Sequence, residues 1–389
     1  MTTLLVIIYL AFISLGLPDS LLGSTWPAMR LDLNAPLSMA GIISLFISGC
    51  TIISSLNSTR MIRRFKTSKV TLVSVFLTAS ALIGFSFAPS VIWLFIIAIP
   101  LGLGAGAIDS GLNNFVALHY EARHMSWLHC FWGIGATSGP IIISSVLKVS
   151  NNWRDGYRII SLIQFVLFVA LLITLPKWKI VETDVETEEQ EEKVLSNLEA
   201  LKLPGAKWAI LSFVCYCSVE MTTGLWSSSY LVDHKGLSTA AAAGFVSLFY
   251  GGITGGRALS GFLTMKFKTN TLILSGCIVS IIGIILFMLP LHAVFSAIAL
   301  VLIGVGLAPI FPGMLHQTPV HFGKAASQTM MGLQMGVAYV GSTFVPLAFG
   351  LIAGRVSTAI LPYFLIGFSA LMLICCKRVS YVKVKEIAE

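Results

Sequence analysis

Long apolar stretches alternate with short polar segments along the whole chain. Each apolar stretch has about 20 residues or more, which is the length that an α-helix needs to cross the hydrocarbon core of a bilayer. The pattern therefore predicts an all-α polytopic membrane protein with twelve transmembrane helices. The predicted helices cover about residues 4–29, 37–57, 69–88, 91–118, 126–148 and 157–176, and then 207–232, 239–265, 270–290, 293–318, 325–353 and 357–376.

A single long polar segment, residues 177–206, separates the two sets of helices. The stretch from Glu182 to Glu192 holds seven acids in eleven residues. A run of like charge is typical of a solvated connection rather than a binding site. We therefore predict an N-terminal six-helix bundle over residues 1–176, an acidic cytoplasmic linker over 177–206 and a C-terminal six-helix bundle over 207–389.

The two halves also repeat each other at a nearly constant offset. Residues 64–67, Arg-Phe-Lys-Thr, recur 202 positions later as residues 266–269, Lys-Phe-Lys-Thr. Because six helices are an even number, both copies cross the membrane with the same polarity. This predicts a parallel repeat with a pathway between its two copies. Matching residues in three other helices lie 201 to 206 positions apart: Asp19 and Glu220, Gly102 and Gly304, and Gly135 and Gly341.

Composition agrees with a membrane protein and excludes several other classes. Apolar residues make up 56% of the chain and charged residues 11%, whereas a soluble domain carries about 25% charged residues. This excludes a cytosolic enzyme, a secreted scaffold and a disordered regulator. The formal net charge is +8, but the Lys and Arg residues lie between the apolar stretches, so no nucleic-acid partner is predicted.

The distribution of basic residues predicts the orientation. With the N-terminus placed in the cytoplasm, the cytoplasmic segments contain 18 Lys and Arg residues and the opposite segments contain six. Basic loops generally stay on the cytoplasmic side of a membrane. We therefore expect a multi-pass protein of the cell membrane, inner or plasma, with both termini cytoplasmic.

Three acidic residues have apolar sequence on both sides: Asp19, Asp109 and Glu220. A charged carboxylate at the centre of a bilayer costs about 2.5 to 3.5 kcal/mol on insertion scales, and such residues generally face a polar cavity. Arg257 is the one basic residue away from the ends of the predicted helices, so three acids share a single nearby cation. We expect at least one carboxylate to load and release a proton. The alternative is a structural role, in which a neighbouring helix satisfies each carboxylate.

Amide and aromatic side chains accompany these acids. Asp109 and Asn113 are four residues apart and share one helix face, and Asn114 follows. Carboxylates, amides and aromatic rings together suit a neutral, sugar-like solute, because they bond hydroxyl groups and pack on C–H surfaces. A packing role is the alternative for the tryptophans. Further candidates for the wall of a binding cavity are Trp26, His129, Trp132, Gln334 and Tyr339.

No metal site, cofactor or enzyme active site is predicted. His119, His124 and His129 are five residues apart, which places successive rings about 140° apart around a helix, so they cannot share one face. A nucleophile and a base at useful spacing are also missing from the sequence.

The order of these features resembles the major facilitator superfamily across essentially the whole chain. The shared features are two parallel six-helix halves, a central acidic linker and basic loops after the second and eighth helices. Three motifs are similar to the fucose/galactose/glucose:proton symporter branch: Leu17-Pro18-Asp19-Ser20, Gly104-Ala105-Gly106-Ala107-Ile108-Asp109-Ser110 with Asn113 and Asn114, and Glu220 with Gly224 and Trp226.

The resemblance implies that Asp19 and Asp109 are the substrate and proton carboxylates, with Asp109 in place of the more usual Glu. The sequence departs from the superfamily in the loop after the second helix, residues 57–69, which normally carries an Asp and here has no acid. The candidate gating or structural residues are therefore basic: Arg63, Arg64 and Arg257.

These features favour a proton-coupled symporter of a sugar or a similar small polar solute, working by alternating access as a monomer in the lipid bilayer. The proton gradient is the expected driving force. Two alternatives stay open at this point. One is a proton-coupled exporter of drugs or metabolites, and the other is a membrane sensor or scaffold that does not transport.

Overall fold

A computed structural model describes residues 2–119, 122–182 and 197–381 of the chain. These residues form fourteen α-helices and one short 3-10 helix, Thr358–Ile360, and contain no β-strand. The predicted all-α fold is confirmed. The α-helices are α1 (Thr2–Asp19), α2 (Leu21–Asp32), α3 (Met39–Ser86), α4 (Val91–His119), α5 (Ala122–Val149), α6 (Trp153–Glu182), α7 (Asn197–Lys202), α8 (Ala206–Asp233), α9 (Thr239–Leu263), α10 (Thr269–Met288), α11 (Ala293–Leu307), α12 (Ile310–Phe322), α13 (Lys324–Ala353) and α14 (Leu361–Ser380).

Ten stretches of the described residues are helical, long and apolar enough to cross a membrane. A shorter apolar helix, Met39–Ser55, corresponds to the second predicted span. Helix α9 is 25 residues long and corresponds to the eighth predicted span, although it is not among these ten stretches. The chain is therefore a polytopic membrane protein, as the hydrophobic pattern predicts.

The first predicted span, residues 4–29, contains a helix break at Ser20, which separates α1 from α2. Pro18 lacks an N–H, so the main-chain oxygen of Ser14 loses its donor within the helix. The side-chain amide of Gln164 in α6 donates a hydrogen bond to this oxygen at 2.8 Å. The break places Asp19 at the end of a helix.

The basic motif of the repeat interrupts the helix in both halves. Lys66 has φ 68° and ψ 156° inside α3, which divides it into two helices that match the second and third predicted spans. Lys268, 202 positions later, is also non-helical, with φ −64° and ψ 138°, and precedes α10. The motif therefore ends one span and begins the next in each copy.

Close helix crossings also repeat at the offset found in the sequence. A side-chain carbon at Gly102 of α4 would overlap the main-chain oxygen of Ile47 in α3. A side-chain carbon at Gly304 of α11 would overlap the main-chain oxygen of Phe249 in α9. Both the glycines and their partners are 202 positions apart, so the two copies use the same crossing. This agreement supports an internal duplication.

Contacts group the chain into two compact units, Met1–Thr187 with Ser227–Ser247, and Glu188–Trp226 with Leu248–Glu389. The end of α8 and the beginning of α9 thus belong to the first unit. Helix α6 continues to Glu182 and α7 follows, so both ends of the predicted linker contain helix, and residues 183–196 lie outside the described residues. The division at residues 176 and 207 stays a prediction.

Candidate functional site

Two glycines bring α1 and α5 into backbone contact in the first unit. A side-chain carbon at Gly16 would overlap the main-chain oxygen of Trp132, and one at Gly135 would overlap that of Ile13. Only a residue without a side chain fits at these two points. Gly16 lies one helical turn before Asp19, and Gly135 lies one turn after Trp132. The crossing therefore fixes the distance between Asp19 and Trp132.

Asp19 and Trp132 are joined by a hydrogen bond. The indole Nε1 of Trp132 donates to Oδ2 of Asp19 at 2.8 Å. Hydrogen bonds to an ionised acceptor are about twice as strong as those between neutral groups. Asp19 is exposed and Trp132 is half-buried. The structure thus brings together two of the predicted site residues, with the carboxylate accessible at the surface of the unit.

Asp109 lies on α4 with an amide as its partner. The side-chain Nδ2 of Asn113 donates to Oδ1 of Asp109 at 2.9 Å and to its main-chain oxygen at 3.0 Å. This contact confirms the shared helix face that the four-residue spacing predicts. Among the described residues, Asp109 takes part in no ion pair. The side chain of Asn114 lies outside the described part of the structure.

A row of aromatic contacts continues the seam between α1 and α5. The rings of Tyr9 and Phe131 stack with centroids 4.6 Å apart, and the Tyr9 hydroxyl lies 2.8 Å from Nδ1 of His124. Phe12 meets His129 edge to face at 6.0 Å, and His129 is exposed. Sequence reasoning named His129 as a wall candidate, considered His124 only for a metal site, and missed Tyr9. No local signal identifies these two, because their contact spans 115 positions.

Glu220 has a different environment in the second unit. Its Oε1 lies 3.7 Å from a guanidinium nitrogen of Arg257, and the two side chains are 12% and 15% exposed. The same nitrogen of Arg257 is 3.5 Å from the hydroxyl of Tyr216. Glu220 and Arg257 therefore form a largely buried ion pair. Tyr216 was missed, although its spacing of four residues from Glu220 places both on one helix face.

The remaining wall candidates are packed inside their units. Trp26 is fully buried, and its Nε1 donates to the main-chain oxygen of Leu37 at 3.0 Å. Gln334 is buried and accepts a hydrogen bond from the hydroxyl of Thr318 at 2.9 Å, beside a cavity of about 30 Å³ in the second unit. Tyr339 is half-buried on α13. The roles of these three side chains in a cavity wall stay predictions.

The candidate gating residues are found in different settings. The guanidinium of Arg64 lies 5.3 Å from the centre of the Phe65 ring on an exposed segment. The side chain of Arg63 lies outside the described part of the structure. Arg257 is the counter-ion of Glu220, as described above. Within residues 2–119, 122–182 and 197–381, no group of three or more His, Cys, Asp or Glu is placed to hold a metal ion.

The sequence profile of the Major Facilitator Superfamily matches residues 8–346. The chain belongs to this superfamily. Its predicted membership, fold class and nature as a transporter rather than an enzyme are thereby confirmed. For a superfamily member with many apolar helices, a multi-pass location in a membrane follows directly.

Individual relatives are distant in sequence but similar over most of their length. The chain is 25% identical to the glucose/mannose transporter GlcP of Bacillus subtilis, over 78% of this chain and 77% of that protein. It is 22% identical to the sodium-dependent glucose transporter 1A of Mus musculus, over 89% of each chain. The solved structure of the xylose transporter XylE from E. coli, in a partially occluded inward open conformation, has a TM-score of 0.74 at 13% identity and covers 99% of both chains.

Proposed function

We propose that this superfamily member is a secondary active transporter that carries a sugar or a similar small polar solute, driven by the proton gradient. The observation that carries the proposal is the polar set on three apolar helices: Asp19 with Trp132, and Asp109 with Asn113. GlcP is a glucose/mannose transporter and the mouse relative is a sodium-dependent glucose transporter, which supports a sugar as the solute.

The chemistry of the first unit suits a neutral polyhydroxylated solute. The exposed carboxylate of Asp19 can accept hydrogen bonds from two hydroxyl groups, and the adjacent ring of Trp132 offers an apolar face. His129 and Tyr9 extend the same seam with further polar edges.

Asp109 is the proposed site of the coupling proton. Its described partner is a neutral amide, so no guanidinium or ammonium group among the described residues holds the carboxylate in its charged form. A proton that moves through 100 mV releases about 2.3 kcal/mol. At about 1.36 kcal/mol per decade this suffices for a solute gradient of about fifty-fold.

Sodium is the second candidate for the coupling ion. The mouse relative is a sodium-dependent transporter by name, and its alignment covers 89% of this chain. A sodium ion generally needs several oxygen ligands at once, whereas a proton needs one carboxylate. The pairing of Asp109 with a single amide therefore favours the proton.

The proposal is tested with purified protein in liposomes and a panel of radiolabelled hexoses and pentoses. We expect one or more sugars to enter faster under an inward proton gradient than without one. Asp109→Asn removes the titrating group and keeps the shape, so it abolishes this acceleration while sugar exchange in counterflow continues. Asp155→Asn, which alters a partly exposed acid on α6, leaves both activities intact.

Three outcomes contradict parts of the proposal. If a sodium gradient accelerates sugar uptake and a proton gradient does not, the proton is not the coupling ion, while the sugar substrate still stands. If no sugar of the panel shows uptake or counterflow, the proposed sugar substrate is wrong and the exporter is favoured. Sugar binding without counterflow favours the non-transporting sensor.

A further inference from the structure

Two short segments, one in each unit, combine exposed cations with an exposed phenylalanine. In the first unit, Arg64, Phe65 and Lys66 follow one another at the point where the helix is interrupted within α3. All three side chains are exposed, and the guanidinium of Arg64 lies 5.3 Å from the centre of the Phe65 ring. Lys69 adds a third exposed cation to the same segment. We call residues 64–69 the first basic segment.

The second basic segment, residues 264–268, connects α9 to α10 in the second unit. Lys266 and Lys268 are exposed on either side of Phe267, which is itself 52% exposed. The equivalent phenylalanine of the first basic segment is 47% exposed. Met265, which precedes the first of the two lysines, is also exposed. Both copies of the duplication therefore present a phenylalanine between two cations.

The chain itself supplies little negative charge to these cations. Among the described residues, none of the cations in the two basic segments takes part in an ion pair. The sequence also has no acid within residues 57–69 or within residues 261–270. Neighbouring cations repel one another unless an anion lies close to them. The two basic segments therefore suit an anionic partner from outside the chain.

The position of the phenylalanines favours a membrane lipid as this partner. The two basic segments lie at the beginning of apolar stretches that are long enough to cross a membrane, Arg64–Ser86 and Thr269–Met288. At the level of the lipid headgroups, an aromatic ring packs on acyl chains while neighbouring cations attract phosphate groups. A free phosphate ion would gain nothing from an exposed apolar ring.

We propose that each basic segment binds one anionic phospholipid, with its cations on the headgroup phosphate and its phenylalanine against the acyl chains. The proposal needs only the location of the chain in a membrane. It does not depend on the identity of the transported solute or of the coupling ion.

The test titrates a fluorescent phosphatidylglycerol into the purified full chain in neutral detergent. We expect two tightly bound lipids per chain, and weaker binding of a phosphatidylcholine with the same label. The double variant Lys266→Gln with Lys268→Gln should weaken one of the two sites about 25-fold, because each cation near an anionic surface contributes about fivefold. Arg64→Gln with Lys66→Gln should weaken the other site by a similar factor. Equal binding of the two lipids by the parent chain overturns the proposal.

Lys377→Gln with Arg378→Gln is the matched control for the loss of two charges. These two cations are exposed in the last turn of α14, and no phenylalanine lies between them. The control variant should bind two lipids as tightly as the parent chain. Equal weakening in the control would show a general effect of surface charge, and the two sites would then be wrong.

Two further measurements separate a lipid from a free anion. Phe267→Ala should weaken phosphatidylglycerol binding at the second basic segment about fivefold, because the ring no longer packs on the acyl chains. An excess of inorganic phosphate should leave the labelled lipid bound. Unchanged affinity in Phe267→Ala, or displacement of the lipid by phosphate, contradicts a lipid site.

Discussion

The three intramembrane carboxylates differ in the atoms that face them. Asp19 accepts from an indole, Asp109 accepts from an amide, and Glu220 faces a guanidinium group. An indole or amide donor leaves the net charge of the carboxylate unchanged, whereas a guanidinium group cancels it. In the proposed function, the amide-bonded Asp109 is therefore suited to exchange a proton, whereas the ion pair of Glu220 is suited to hold two helices together. The sequence revealed the acids because each interrupts an apolar run. It did not reveal their partners, which depend on packing between distant helices.

Trp132 is predicted to position Asp19 for the solute. Trp132→Phe keeps a ring and removes the donor, and a hydrogen bond to a charged group is worth about 1.5–3 kcal/mol. We expect the apparent KM for the transported sugar to rise about tenfold or more. Trp127→Phe is the matched control, because Trp127 lies on the same helix and is 57% exposed. Equal kinetics for the two variants in the liposome assay would show that the Trp132 bond is dispensable.

The helices of each half meet at points where only glycine fits. Gly16 and Gly135 lie at the contact between α1 and α5. Gly341 lies at the contact between α8 and α13, where a side-chain carbon would overlap the main-chain oxygen of Val214. Offsets in the sequence identified Gly135 and Gly341 as equivalent positions. The sequence could not show which glycines touch a neighbour. Gly336, five residues before Gly341 on α13, has open space around it.

These two glycines of α13 give opposite predictions. Gly341→Ala forces the α8–α13 crossing apart and should lower the free energy of unfolding by about 1–3 kcal/mol, as overpacking does. Gly336→Ala meets no atom and gains helix propensity, so its thermal midpoint should be unchanged or higher. Thermal unfolding of both variants in detergent, followed by tryptophan fluorescence, checks the pair. Equal midpoints would contradict the tight crossing.

Across the whole molecule, the hydrophobic pattern and the repeat were sufficient to predict the fold. Span positions followed from length and apolarity alone, and the motif at residues 64–67 marked a helix boundary in both copies. The internal break at Ser20 was not predicted, because Pro18 can also be tolerated within a straight helix. The carbonyl of Ser14, which Pro18 leaves without a donor, instead accepts a hydrogen bond from the distant Gln164, a contact that the sequence does not reveal.

The orientation of the whole chain in the membrane is a further prediction. The bias of 18 to six basic residues places both termini in the cytoplasm. A fluorescent-protein fusion after residue 389 should therefore fluoresce, and an alkaline phosphatase fusion at the same point should be inactive. Fusions after Lys235, between α8 and α9, should give the reverse pattern. Active phosphatase at the C-terminus would contradict the predicted orientation.

A membrane potential does work only on net charge that moves across it, about 2.3 kcal/mol per elementary charge for 100 mV. Glu220 and Arg257 place opposite charges side by side, so the field does no net work when they move together. Asp109 has no such counter-charge among the described residues, and in a proton-driven cycle each protonation alters the charge on which the field acts. Voltage sensitivity would then reside in the first copy of the duplication, while the second copy stays electrically silent.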